Sequence, residues 1–181
     1  MLGHSFGGKV ALAHAARGHD RLQQVWVIDS TPEAKPPGGS AWRLLDVVRQ
    51  LPESFGSRRE AAAGIEAAGY STSLAAWMAS NLHLHHQRYR WRLDFEAVGS
   101  LLLDFFNTDF WHVVEEPPAE TVLHFVKAEE SDVLTESACS RIEEAGGQHG
   151  RAFVHRIAGG HWVNTDNPAA VVDLLARHLP A

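Results

Sequence analysis

The apolar positions of this chain change their period several times, and each change marks an element. Residues 6–17 are rich in Ala and Leu and read as a helix, with Gly18 where a C-terminal cap glycine would stand. After a polar connection, Val25-Trp26-Val27-Ile28 is a short, wholly apolar run. Such a run between polar residues suits a parallel strand buried on both faces. Residues 33–40 are Pro- and Gly-rich and mark a boundary. From Ala41 to about Trp111 the pattern is mostly helical. It carries an apolar stripe (Trp42, Leu44, Leu45, Val47, Val48, Leu51), an Ala-rich stretch over 57–68, and a third over 73–82. Residues 89–93 alternate like an extended segment, and Asp94 is placed to cap a helix running to Phe106. Strand patterning returns at 121–126 and 151–157. A loop over 127–134 holds Asp132, a helix over 135–144 is expected to stop at Gly146-Gly147, and a last helix starts at Asn167-Pro168.

Strand, helix, strand, with an acid at the strand's carboxyl end, is the grammar of an open α/β sheet, in which ligands bind beyond the carboxyl ends of the strands. Some seventy mostly helical residues between two strands exceed a single crossover. The expected organisation is therefore a core from residues 1–35 and 114–181, interrupted by a helical cap over 36–113. The cap is expected to lie over the strand ends, with Trp, Phe and Met side chains partly lining a substrate pocket.

Composition narrows the choices. The chain has 181 residues, 45% hydrophobic and 21% charged, which suits a globular protein with a sizeable core. Its net charge of -6 argues against nucleic acid or an anionic membrane as the main partner. No apolar run approaches the length of a membrane span. Cys139 is the only cysteine, so no intrachain disulfide can form, and a reducing, cytoplasmic setting is expected.

The chemistry gathers on three loops. Gly3-His4-Ser5-Phe6-Gly7 fits G-x-S-x-G, a sharp strand-to-helix turn that pushes a serine hydroxyl outward, with Gly3 and Gly7 expected to let the two backbones come close. A neutral hydroxyl needs a base within reach, and His161, after two glycines behind the last strand, is the best placed of twelve histidines. A carboxylate must then orient the imidazole, and both Asp29 and Asp132 follow strands that lead to the same sheet end. His83, His85 and His86 sit in what reads as a polar loop without a neighbouring Cys or Glu, so no metal is expected there. His4 is expected to pack under the turn, and Cys139 to be structural.

The chain resembles the α/β-hydrolase superfamily, and within it the bacterial and mitochondrial esterases whose turn reads G-H-S-x-G-G-K. The resemblance rests on Gly3-His4-Ser5-Phe6-Gly7-Gly8-Lys9, Val27-Ile28-Asp29-Ser30-Thr31-Pro32, residues 91–97 and Gly159-Gly160-His161-Trp162-Val163. It implies Ser5 as nucleophile, His161 as base, esters or thioesters of modest acyl length as substrates, and neither cofactor nor metal. The subfamily tips the acid toward Asp29, whereas most of the superfamily would place it at Asp132. Amide or C–C bond hydrolysis by the same three residues, or a non-catalytic hydrolase fold, are the alternatives. The family's first strands and the loop that gives one oxyanion donor lie upstream of the turn and are not matched here. The backbone N–H of Phe6 is then the remaining donor, and losing one such donor costs on the order of 100- to 1000-fold in rate. Without those strands the first sheet edge is open, so self-association through it is expected.

Overall fold

The computed structural model describes residues 1–179. In chain order the elements are β1 (Leu2–His4), α1 (Phe6–Ala15), β2 (Gln24–Ile28), α2 (Gly39–Gln50), β3 (Ser54–Phe55), α3 (Arg58–Ala67), α4 (Thr72–Ser80), β4 (Leu82–His85), β5 (Arg88–Trp91), α5 (Phe95–Asn107), α6 (Trp111–Glu115), β6 (Val122–Ala128), α7 (Glu136–His149), β7 (Ala152–Ile157), α8 (Val163–Asp166) and α9 (Pro168–His178). They form two compact units. One combines Met1–Lys35 with the chain from Asn107 onward, and the other is Pro36–Phe106.

The first unit is built on a four-stranded parallel sheet in the order β1-β2-β6-β7. Both faces are covered, which is why β2 is apolar without alternation. Val25 and Val27 face Leu12 of α1 and Ile142 of α7, while Trp26 and Ile28 face Val171 and Leu174 of α9. Phe110, Trp111, Val113 and Val114 also join the first of these cores, so the sheet unit resumes at Asn107 and not at 114. β1 is an edge strand among the described residues, and Met1 and Leu2 are about half exposed.

The second unit holds α2 to α5 and a small antiparallel sheet, β3-β5-β4. Ser57 and Glu60 start α3 reciprocally: Ser57 Oγ accepts from Glu60 N at 3.1 Å, and Glu60 Oε2 accepts from Gly56 N at 2.6 Å. Asp94 caps α5, accepting from Glu96 N and Ala97 N at 2.9 and 3.1 Å. The apolar stripe of α2 is buried inside this unit, where Leu45 and Val48 meet Ile65, Ala75 and Met78.

Three local expectations are corrected. Residues 83–86 are not a loop. His83 and His85 lie on β4, and His86 and Gln87 form the turn to β5, both in the left-handed region at φ 43° and 65°. Gly146-Gly147 does not end α7, which runs to His149 and stops at Gly150, φ 71°. Gly146 serves packing instead, since a Cβ there would lie 2.0 Å from the carbonyl oxygen of Ala152. β6 continues through Lys127 and Ala128, so the following loop is shorter than its polar residues suggest.

Candidate active site

The turn between β1 and α1 is tight enough to strain its serine. Ser5 has φ 53° and ψ −119°, and its N–H donates to the carbonyl of Ile28 at 2.9 Å, which fixes the turn to the end of β2. The glycines divide the work differently from the expectation. A Cβ on Gly3 would lie 1.9 Å from the Gly7 carbonyl, and one on Gly8 would lie 2.5 Å from Ser30 Cβ, but one on Gly7 would meet nothing within 4 Å. Gly3 and Gly8 are therefore the positions where the strand–helix crossing forbids a side chain.

Asp29 ends β2 in the left-handed region at φ 41°, held by its N–H donating to Val126 O at 2.8 Å. Its carboxylate is fully buried yet well supplied with donors. Oδ2 accepts from Ser131 Oγ at 2.5 Å and faces His161 Nδ1 at 2.7 Å, and Oδ1 accepts from Ala128 N at 3.3 Å. The loop that provides Ser131 is itself pinned by buried Lys127, whose Nζ donates to the carbonyls of Ala128 and Ser131.

His161 follows β7 on Gly159-Gly160. Its Nε2 lies 2.9 Å from Ser5 Oγ. Because an ionised carboxylate only accepts, the proton of the neutral ring belongs on Nδ1, leaving Nε2 as an acceptor for the serine proton. The loop is held at Gly160, whose N–H donates to Asp166 Oδ2 at 3.0 Å, and at Ala158, whose carbonyl accepts from Asn167 Nδ2 at 3.1 Å.

The structure thus joins Ser5, His161 and Asp29 in one chain of hydrogen bonds. Asp132 lies outside it, exposed on the loop after β6. Phe6 opens α1 directly after Ser5. His4 does not simply pack beneath the turn, because its Nε2 lies 2.7 Å from the carbonyl of His161. Burial holds the His4 ring below its usual pKa. Cys139 is buried in α7, and burial first, then Glu136, pushes its thiol up to about 11, far from a reactive thiolate. Among the described residues no group of three or more His, Cys, Asp or Glu side chains is arranged to hold a metal ion. No helix among them is long and apolar enough to cross a membrane. Ser131 is the residue that sequence reasoning missed. It stands beside Asp132, and nothing in its own neighbourhood signals a contact 102 residues away.

The sequence profile of the alpha/beta hydrolase family matches residues 1–174. The chain is 25% identical over 186 residues to the sn-1-specific diacylglycerol lipase ABHD11 of Mus musculus, a match covering 99% of this chain and 58% of that protein. To the protein of the same name from Xenopus tropicalis it is 25% identical over 173 residues, covering 92% of this chain and 52% of the relative. It therefore spans little more than half the length of these curated relatives. Among solved structures, a marine microorganism esterase superposes with a TM-score of 0.82 at 20% identity, over 98% of this chain and 69% of that one. The Mycobacterium tuberculosis esterase Rv0045c superposes with a TM-score of 0.62 at 21% identity, over 98% of this chain and 59% of that one. At these identities the two structures are likenesses of fold.

Proposed function

Because this chain belongs to the alpha/beta hydrolase family, we propose that it is a serine hydrolase cleaving carboxylic esters or thioesters through an acyl-enzyme. One observation carries the reading: His161 bridges Ser5 Oγ and the buried carboxylate of Asp29 at 2.9 and 2.7 Å. In acylation, Nε2 of His161 takes the hydroxyl proton as Ser5 Oγ attacks the acyl carbon. The oxyanion that forms accepts from the N–H of Phe6 in the first turn of α1. His161 then hands its proton to the departing alcohol or thiol as the acyl bond breaks. Water repeats the sequence on the acyl-enzyme and frees the acid. Asp29 holds the imidazole in the Nδ1–H tautomer and stabilises the imidazolium without taking the proton.

The substrate is an ester or thioester of modest acyl length. The diacylglycerol in the relatives' name is itself an ester. We assign the second unit, Pro36–Phe106, the part of a cap that selects the acyl chain. A reducing compartment such as the cytoplasm suits the lone buried thiol of Cys139.

Ser5→Ala should abolish nearly all hydrolysis of p-nitrophenyl butyrate while circular dichroism and the melting temperature stay unchanged. A fluorophosphonate probe should label the wild-type chain on Ser5 alone. Undiminished turnover by a folded Ser5→Ala protein would end the proposal.

A further inference from the structure

The loop that carries the base is anchored just before it, where the carbonyl of Gly159 accepts from Glu130 N at 3.0 Å. Gly159 and Gly160 bring no side chains, and Gly159 occupies φ 136°, a conformation open chiefly to glycine. Neighbouring contacts fix Ala158 and Gly160, but the bond to the backbone of His161 itself comes from across the sheet end. His4 is the last residue of β1 and directly precedes Ser5. Its Nε2 lies 2.7 Å from the His161 carbonyl, its ring centroid 4.9 Å from that of His161 and 5.4 Å from the Trp162 ring. A carbonyl only accepts, so His4 carries its proton on Nε2 and donates it. Nucleophile and base are consequently joined twice, once through their reacting side chains and once from the residue beside the nucleophile to the backbone of the base.

We infer that His4 is a positioning residue, clamping the His161 loop so that Nε2 of His161 stays within reach of Ser5 Oγ. This inference rests on the serine hydrolase reading above. The clamp must work while His161 becomes an imidazolium during acylation, and a second cation 4.9 Å away would oppose that step. The groups facing His4 are His161, whose charge would push His4 toward the neutral form, and Asp29, which acts the other way. Burial is the largest influence and lowers the His4 pKa; the hydrogen bond to the His161 carbonyl raises it, and the net shift is downward, against a competing charge beside the base.

Glutamine and asparagine separate the clamp from mere polarity. The side-chain amide nitrogen of Gln reaches about as far as imidazole Nε2, whereas that of Asn ends near the position of Nδ1. His4→Gln should keep most of the turnover of p-nitrophenyl butyrate. His4→Asn should lose about tenfold in kcat with KM nearly unchanged, the size expected when one ordinary hydrogen bond stops orienting a catalytic group. The low-field proton resonance of His161 Nδ1 should remain in the Gln variant and broaden in the Asn variant, at equal melting temperatures. Equal kcat for the two variants, whether both fast or both slow, or a Gln variant slower than the Asn variant, would overturn the role of His4. Ser5→Ala in the same assay keeps the two questions apart. Full activity there would remove the hydrolase reading itself, whereas an inactive Ser5→Ala protein with equal Gln and Asn variants would remove only the clamp.

Discussion

Asp29 and Asp132 differ sharply in environment, though both follow strands of the same sheet: one is sealed among three donors, the other faces solvent. Asp29→Asn should therefore lower kcat by a large factor. About 10,000-fold is the scale set by the corresponding change in serine proteases, where the wrong imidazole tautomer results. Asp132→Asn should cost no more than a few-fold, through a disturbed loop. Steady-state kcat of both single variants and the double variant checks this, because residues acting as one unit are strongly non-additive. A collapse confined to Asp132→Asn would reassign the acid. At this scale the sequence marked Ser5, Asp29 and His161, because each sits at a strand end between small or turn-forming residues. Strand position alone left both acids open and only the subfamily resemblance tipped toward Asp29, because the donors on Asp29, Ala128 N and Ser131 Oγ, come from 99 and 102 residues away. Nor could the sequence show the contact of His4, whose partner is a backbone carbonyl 157 residues away.

Elements were legible where one face or both were apolar, as in β2 and α2, and less so where packing overrode local signals. Residues 83–86 look polar enough for a loop, yet pairing with β5 makes most of them a strand. Gly146 looks like a stop, yet it marks the close approach of α7 to β7. The contact between the sheet and α9 carries a further consequence. Trp26 of β2 stacks on His124 of β6 at 4.1 Å. Nδ1 of His124 lies 3.0 Å from Nε2 of His155 on β7, and His178 of α9 meets both rings edge-on. Burial first, then the neighbouring histidines, depresses His124 to about 4. Burial, His178 and Arg177 do the same to His155, also about 4. Their unfolded values lie near 6.5, so between about pH 6.5 and 4 the unfolded chain binds more protons and stability falls as pH falls. For His124 alone the slope approaches about 1.4 kcal/mol per pH unit. Urea midpoints should drop between pH 7 and pH 5, and His124→Phe, which keeps the stack but cannot titrate, should flatten the dependence. A wild-type midpoint that does not move over that range would contradict this account.

On the scale of the whole chain, the outer side of β1 presents backbone groups that pair with no strand among the described residues, next to half-exposed Met1 and Leu2. Such an edge is a template for a further strand. Residues 1–181 made as an isolated chain should therefore sediment as dimers or larger species, and Leu2→Lys should shift them toward monomer. A monodisperse wild-type monomer would rule this association out.

The sheet unit is also discontinuous in sequence, and the chain leaves and re-enters it at one place. Phe110 N donates to Pro32 O at 2.8 Å, Ala34 N to Asp109 Oδ2 at 3.4 Å, and the buried ammonium of Lys9 donates to Glu33 O and Thr108 O at 2.9 and 2.7 Å. The outgoing and returning segments are thus tied together by contacts that belong wholly to the sheet unit. For the host, everything between them is one long closed loop, and each doubling of such a loop costs only about 0.6 kcal/mol of closure entropy. The length of residues 36–106 is therefore almost without thermodynamic consequence for the sheet. That interval can grow, shrink or be replaced over evolutionary time under the demands of its own core, while the hydrogen bonds around Lys9 keep the reading frame of the host fold in place.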